Sequence, residues 1–108
     1  MKRPVKRPKT RPVLYAIFYG AMVRVARRHG YALALHGSLR RDCDLVAVPW
    51  TEASSAPERL IDALVKRTGG CVPPGEAKVV KAHGRMTWVI YVGGGGYLDL
   101  SVMPRSRK

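Results

Sequence analysis

At 108 residues the chain has room for one small domain and none for a separate substrate domain. Its apolar share of 46% is that of a folded globule and excludes wholesale disorder. A formal net charge of +13 calls for an anionic partner, nucleic acid or nucleotide phosphates first among them.

That charge is concentrated at the two ends. Residues 1–12 carry six basic side chains (Lys2, Arg3, Lys6, Arg7, Lys9 and Arg11) and no acid. The near-repeat Lys2-Arg3-Pro4 and Lys6-Arg7-Pro8 combines like-charge repulsion with prolines that forbid regular hydrogen bonding. The stretch reads as an extended, disordered arm that meets nucleic acid through phosphates, without reading sequence. A solubilising tail is the other use of such a segment. Residues 105–108 add Arg105, Arg107 and Lys108 as a basic tail. Between them, 13–104 form the domain, with eleven basic and seven acidic residues.

The apolar run Val13–Val23, broken by Arg24, is too short to cross a bilayer and lacks a cleavage site, so a core helix over 13–28 is expected rather than a secretion signal or membrane segment. Leu14, Ile17, Phe18, Ala21, Met22 and Val25 mark its apolar stripe, and Gly30 its stop. Tyr31–His36 reads as a buried strand and Gly37-Ser38 as a tight turn. A second strand covers Cys43–Val48, ended by Pro49, with Trp50 packing at the core edge.

A second helix is expected from near Ser55, where Ser55 and Glu58 have capping-box spacing. Leu60, Ile61, Leu64 and Val65 give its apolar face, and Gly69-Gly70 closes it. Ala77–Ala82 suggests a third strand. Met86–Val92 and Tyr97–Met103 form a hairpin across glycines 93–96, a run that lacks the following Lys and helix of a phosphate loop. Trp88, Tyr91 and Tyr97 are read as core or cross-strand pairs, and Lys81, His83, Gly84 and Arg85 as a basic loop. The order α-β-β-α-β-β-β predicts an α+β fold, a mixed β-sheet with two helices on one face.

Cys43 and Cys71 supply no disulfide framework. A buried free thiol at Cys43 fits a reducing, cytoplasmic setting.

The chemistry concentrates in three places: Gly37-Ser38, Asp42-Cys43-Asp44, and Asp99 between Leu98 and Leu100. Strand alternation sends Asp42 and Asp44 to one side, with Cys43 to the other. If the strand of Asp99 runs alongside, three carboxylates converge, as in sites that hold Mg²⁺ for phosphoryl chemistry. Two carboxylates about 5 Å apart at an effective dielectric near 20 repel by roughly 3 kcal/mol, so the trio needs a counter-charge. Mg²⁺ is one answer. A guanidinium from Arg40, Arg41 or Arg85 folded over the acids is another. His36, at a strand end, reads as a structural hydrogen-bonding residue.

In these residues and their order, over 13–103, the chain resembles the polymerase-β-like nucleotidyltransferase superfamily, in particular its minimal and small phage-encoded members. The resemblance implies a nucleotidyltransferase-like fold and transfer of a nucleoside monophosphate from an NTP to a hydroxyl of nucleic acid or protein. It assigns Asp42 and Asp44 to Mg²⁺ and the triphosphate, and Asp99 to a second Mg²⁺ and to the base role toward the acceptor. Gly37 and Ser38 fall on the phosphates. Arg40 and Arg41 offer guanidinium groups that can clamp a triphosphate.

Only Leu39, Arg40 and Arg41 separate Ser38 from Asp42, fewer residues than the family usually places there, and no appended domain selects base or acceptor. Those departures, with the basic ends, define an alternative: a non-catalytic, phage-type binding protein or inhibitor of host defence, acting on nucleic acid or a nucleoprotein complex. A third use is as one subunit of a modifying pair with a partner protein.

Overall fold

A computed structural model describes residues 12–36, 42–73, 78–93 and 96–105; for 12–14, His36 and Asp42 it describes the backbone alone. Two α-helices and a five-stranded sheet account for most of them. In chain order they are α1 (Pro12–Arg28), β1 (Tyr31–His36), β2 (Asp42–Pro49), α2 (Pro57–Thr68), β3 (Val79–Val80), β4 (Met86–Gly93) and β5 (Gly96–Val102), with a short 3₁₀ turn at Ala82–Gly84. The sheet order is β1-β2-β5-β4-β3. β2 and β5 run parallel and every other pair is antiparallel, so the sheet is mixed.

One face of this sheet makes the core. Cys43, Leu45 and Ala47 of β2 alternate inward, as do Leu98, Leu100 and Val102 of β5 and Trp88 and Ile90 of β4. They meet Tyr15, Met22, Val25 and Ala26 of α1 and Leu60, Ile61 and Leu64 of α2 in a single cluster, which puts both helices on that face. Leu45, Leu98 and Leu100 are fully buried, each contributing about 2 kcal/mol from removal of apolar surface from water. Cys43 is fully buried on the core side of β2, as its place between two acids on a strand leads one to expect. The chain is thus an α+β protein with two helices over a mixed sheet. Among the described residues, no helix is long and apolar enough to cross a membrane.

Several local expectations change. Of the expected stripe of α1, Met22 and Val25 are buried and Phe18 packs against the core, while Ile17 is 69% exposed and Tyr15 and Ala26 join the buried face. The run is apolar almost all round, so periodicity alone does not choose the inward face. Tyr15 and Tyr19 help to choose it, because their hydroxyls find internal partners, Tyr97 N–H at 3.2 Å and the Leu33 carbonyl at 2.8 Å.

The capping box does not form. Helix α2 starts at Pro57 behind Ala56, with no side-chain cap; proline at this position fixes φ and has no N–H to satisfy. Ser55 is occupied elsewhere, its hydroxyl 2.9 Å from His29 Nδ1 and its carbonyl accepting the Tyr31 hydroxyl at 2.7 Å. The helix ends as expected, with Gly69 in the left-handed conformation donating its N–H to Val65 O.

Trp50 does not pack at the core edge; it stands 62% exposed, its backbone N–H donated to Gly30 O at 3.0 Å. Among the described residues the third strand is Val79–Val80, both exposed and paired with Thr87 and Met86 of β4. The hairpin expected in the last third is present as β4 and β5. The arm and tail lie outside the described residues, Pro12 and Arg105 excepted. Arg105, the first residue of the expected tail, is exposed and donates from Nη1 to the Ser54 carbonyl at 3.1 Å.

Gly30 illustrates how closely the parts fit. Its φ of +84° suits glycine, and a Cβ there would lie 2.7 Å from Thr51 Oγ1 and 2.8 Å from Ser54 Cα. The turn after α1 therefore sets both the start of β1 and the position of the loop after β2.

Candidate metal and nucleotide site

Among the described residues the second face of the sheet carries no helix, and here the acids lie. Asp44 on β2 and Asp99 on β5 are direct register partners. Paired residues on neighbouring strands share a face and stand about 4.8 Å apart along the hydrogen-bonding direction. Cys43, Leu45, Leu98 and Leu100, their flanking neighbours, point into the core, which fixes both acids on the opposite side. Both are half-buried. The row across the sheet is completed by the register positions of His36 on β1, partner of Asp44, and Val89 on β4, partner of Asp99. Val89 is buried yet stands outside the core cluster, giving this row an apolar flank.

One step along β5 from Asp99 on the same face is Ser101, whose hydroxyl accepts a hydrogen bond from Arg85 Nη1 at 3.0 Å. Arg85, read as part of a plain basic loop or as a counter-charge, is thus held at that face, about 7 Å of strand from Asp99. Ser101 did not figure among the expected site residues. Its signal is the same alternation that placed Asp99, two residues away. One step in the other direction is Tyr97, partner of Tyr91 across the hairpin, the two rings 5.1 Å apart at 48°. The two half-buried rings form a cross-strand aromatic pair at one end of the carboxylate row.

Asp42 opens β2, its Cα paired with Tyr97; its side chain lies outside the described residues. So do Gly37, Ser38, Arg40 and Arg41, and the arm residues Lys2, Arg3, Lys6, Arg7, Lys9 and Arg11. Among the described residues there is no group of three or more His, Cys, Asp or Glu placed to hold a metal ion. What the described geometry brings together is two of the three expected acids, with a guanidinium and a hydroxyl one step away.

The donor set suits a hard divalent cation. Carboxylate oxygens are the ligands Mg²⁺ prefers, and one or two carboxylates plus substrate phosphates are its usual complement. A fixed guanidinium beside them suits the phosphate oxygens such a cation would bring.

No family model and no curated protein sequence matches this chain.

Proposed function

We propose that the chain is a small polymerase-β-like nucleotidyltransferase, using Mg²⁺ to transfer a nucleoside monophosphate from an NTP to an acceptor hydroxyl. The observation that carries this reading is the register of Asp44 against Asp99 on adjacent parallel strands, with Asp42 two residues before Asp44. The fold class and element order agree with it.

In this reading Asp42 and Asp44 hold Mg²⁺ and the triphosphate, and Asp99 joins them at a second ion. Mg²⁺, when bound, neutralises charge on the phosphate oxygens. Asp99 accepts the proton of the acceptor hydroxyl as its oxygen bonds to the α-phosphorus. The bond from the α-phosphorus to the bridging oxygen breaks, and pyrophosphate leaves with the electron pair. The backbone of Gly37 and the hydroxyl of Ser38 receive phosphate oxygens, as a glycine turn with free N–H groups does. Arg40 and Arg41 clamp the triphosphate, and Arg85 lies at the same face to add a third guanidinium.

The test is pyrophosphate release from each of the four NTPs with Mg²⁺, using RNA, DNA and protein acceptors. Asp44→Ala abolishes the turnover and leaves the thermal melt cooperative. Absence of both turnover and metal binding in the parent protein discards the enzyme reading.

A second reading, a non-catalytic binder of nucleic acid or a nucleoprotein, draws on the net charge of +13 and the basic ends. Binding of NTP with Mg²⁺ separates the two. Co-purification of a fixed partner would mark the chain as one subunit of a modifying pair.

A further inference from the structure

The carboxylates lie beside the His36 end of β1. A different surface occupies its Tyr31 end. Trp50, Arg27, Val23, Tyr31, Ala32 and Leu33 line a groove of about 400 Å³ at this outer edge of the sheet. Trp50 offers most of its indole to solvent, an unusual position for a residue that is highly buried on average. Its backbone is fixed to Gly30, so the ring stands beside the end of α1.

Arg27 brings a cation into the groove. Arg24 lies three residues before it and four before Arg28, so Arg24 has helical-neighbour spacing with both. Neighbouring like charges on a helix cost a few tenths of a kcal/mol per pair unless an anion answers them. No acid occurs anywhere in α1, and none of the three arginines has an ion-pair partner among the described residues.

We infer that this groove binds single-stranded nucleic acid, one base stacked on Trp50 and the flanking phosphates met by Arg27 and its helical neighbours. An exposed aromatic face beside guanidinium groups is the combination that holds unpaired bases and their backbone. A duplex keeps its base faces stacked and offers Trp50 nothing. A second copy of this chain could pair along β1 but would bring the same arginines against each other.

The inference stands apart from the nucleotidyltransfer reading, since no carboxylate takes part.

The test uses the full chain, a short fluorescein-labelled oligo(dT) and an oligo(U), with no Mg²⁺ or NTP, so that catalysis has no part in the result. The oligonucleotides bind and quench Trp50. Trp50→Ala weakens binding about tenfold or more, while Trp50→Phe retains most of it. Arg27→Ala lowers the slope of log K against log salt by roughly 0.7, and Arg67→Ala on α2 changes affinity less. Circular dichroism melts show every variant folded.

Parent-like affinity in Trp50→Ala, equal losses in Arg27→Ala and Arg67→Ala, or full competition by duplex of the same charge would each overturn the proposal. So would a sedimenting dimer that Trp50→Ala converts to monomer, because the groove would then be a contact between copies.

Discussion

The hydroxyl of Tyr15 accepts the backbone N–H of Tyr97 at 3.2 Å, joining the first helix to the strand that carries Asp99. Tyr15 is fully buried, so the bond lies in surroundings where polar groups need partners. Tyr15→Phe keeps the ring and removes this acceptor. The expected cost is about 1–2 kcal/mol, seen in calorimetry as a Tm roughly 5–10 °C lower. An unchanged Tm would mean that this contact contributes nothing to holding α1 on the sheet.

Gly30 makes a steeper prediction. Gly30→Ala imposes a left-handed backbone on an L side chain and drives its Cβ into Thr51 and Ser54. Strain of about 1–2 kcal/mol comes from the backbone alone, before the loop moves. Urea denaturation should give a loss above about 2 kcal/mol, together with a change in Trp50 fluorescence, since the Trp50 N–H rests on the Gly30 carbonyl. A variant with parent stability would show that the turn can relax freely.

Tyr31 sets a pH dependence. Burial pushes its phenol above the ordinary tyrosine range, with Arg105 opposing the shift and Glu58 adding to it. A raised folded-state pKa favours the neutral phenol in the native protein, which also donates to Ser55 O. Its contribution to stability is therefore complete below the unfolded value near pH 10 and is lost as pH rises through the folded value. Tyr31→Phe should be less stable than the parent at neutral pH by about 1 kcal/mol, and the gap should narrow in alkali. Denaturant midpoints at neutral pH and above pH ~10 check this; a constant gap would contradict it.

Much of the fold was legible because its strands are buried on one face. The alternation in Asp42–Pro49 and Gly96–Val102 fixes which residues enter the core, and it places Asp44 and Asp99 on the other side without further information. That β2 and β5 would be neighbours, in the register that sets the two acids opposite each other, is a long-range fact that no local pattern encodes. The misread features share one cause. The Ser55–Glu58 spacing is a local capping signal, overridden when Ser55 bonds to His29 across the chain. The apolar face of α1 is ambiguous by periodicity and is settled by two tyrosine hydroxyls with distant partners. Trp50 looked like core by hydrophobicity, but its backbone tie to Gly30 leaves the ring outside. The turn 37–41, which would position Ser38, Arg40 and Arg41 over the acids, lies outside the described residues, as does the Asp42 side chain.

The most direct measurement is calorimetric titration of NTP into the parent protein and into Asp44→Asn and Asp99→Asn, each with and without Mg²⁺. The account predicts binding to the parent that depends on Mg²⁺, and a loss of that dependence in both variants, whose melts remain cooperative. Binding that is indifferent to Mg²⁺, or equal in the parent and both variants, would contradict it.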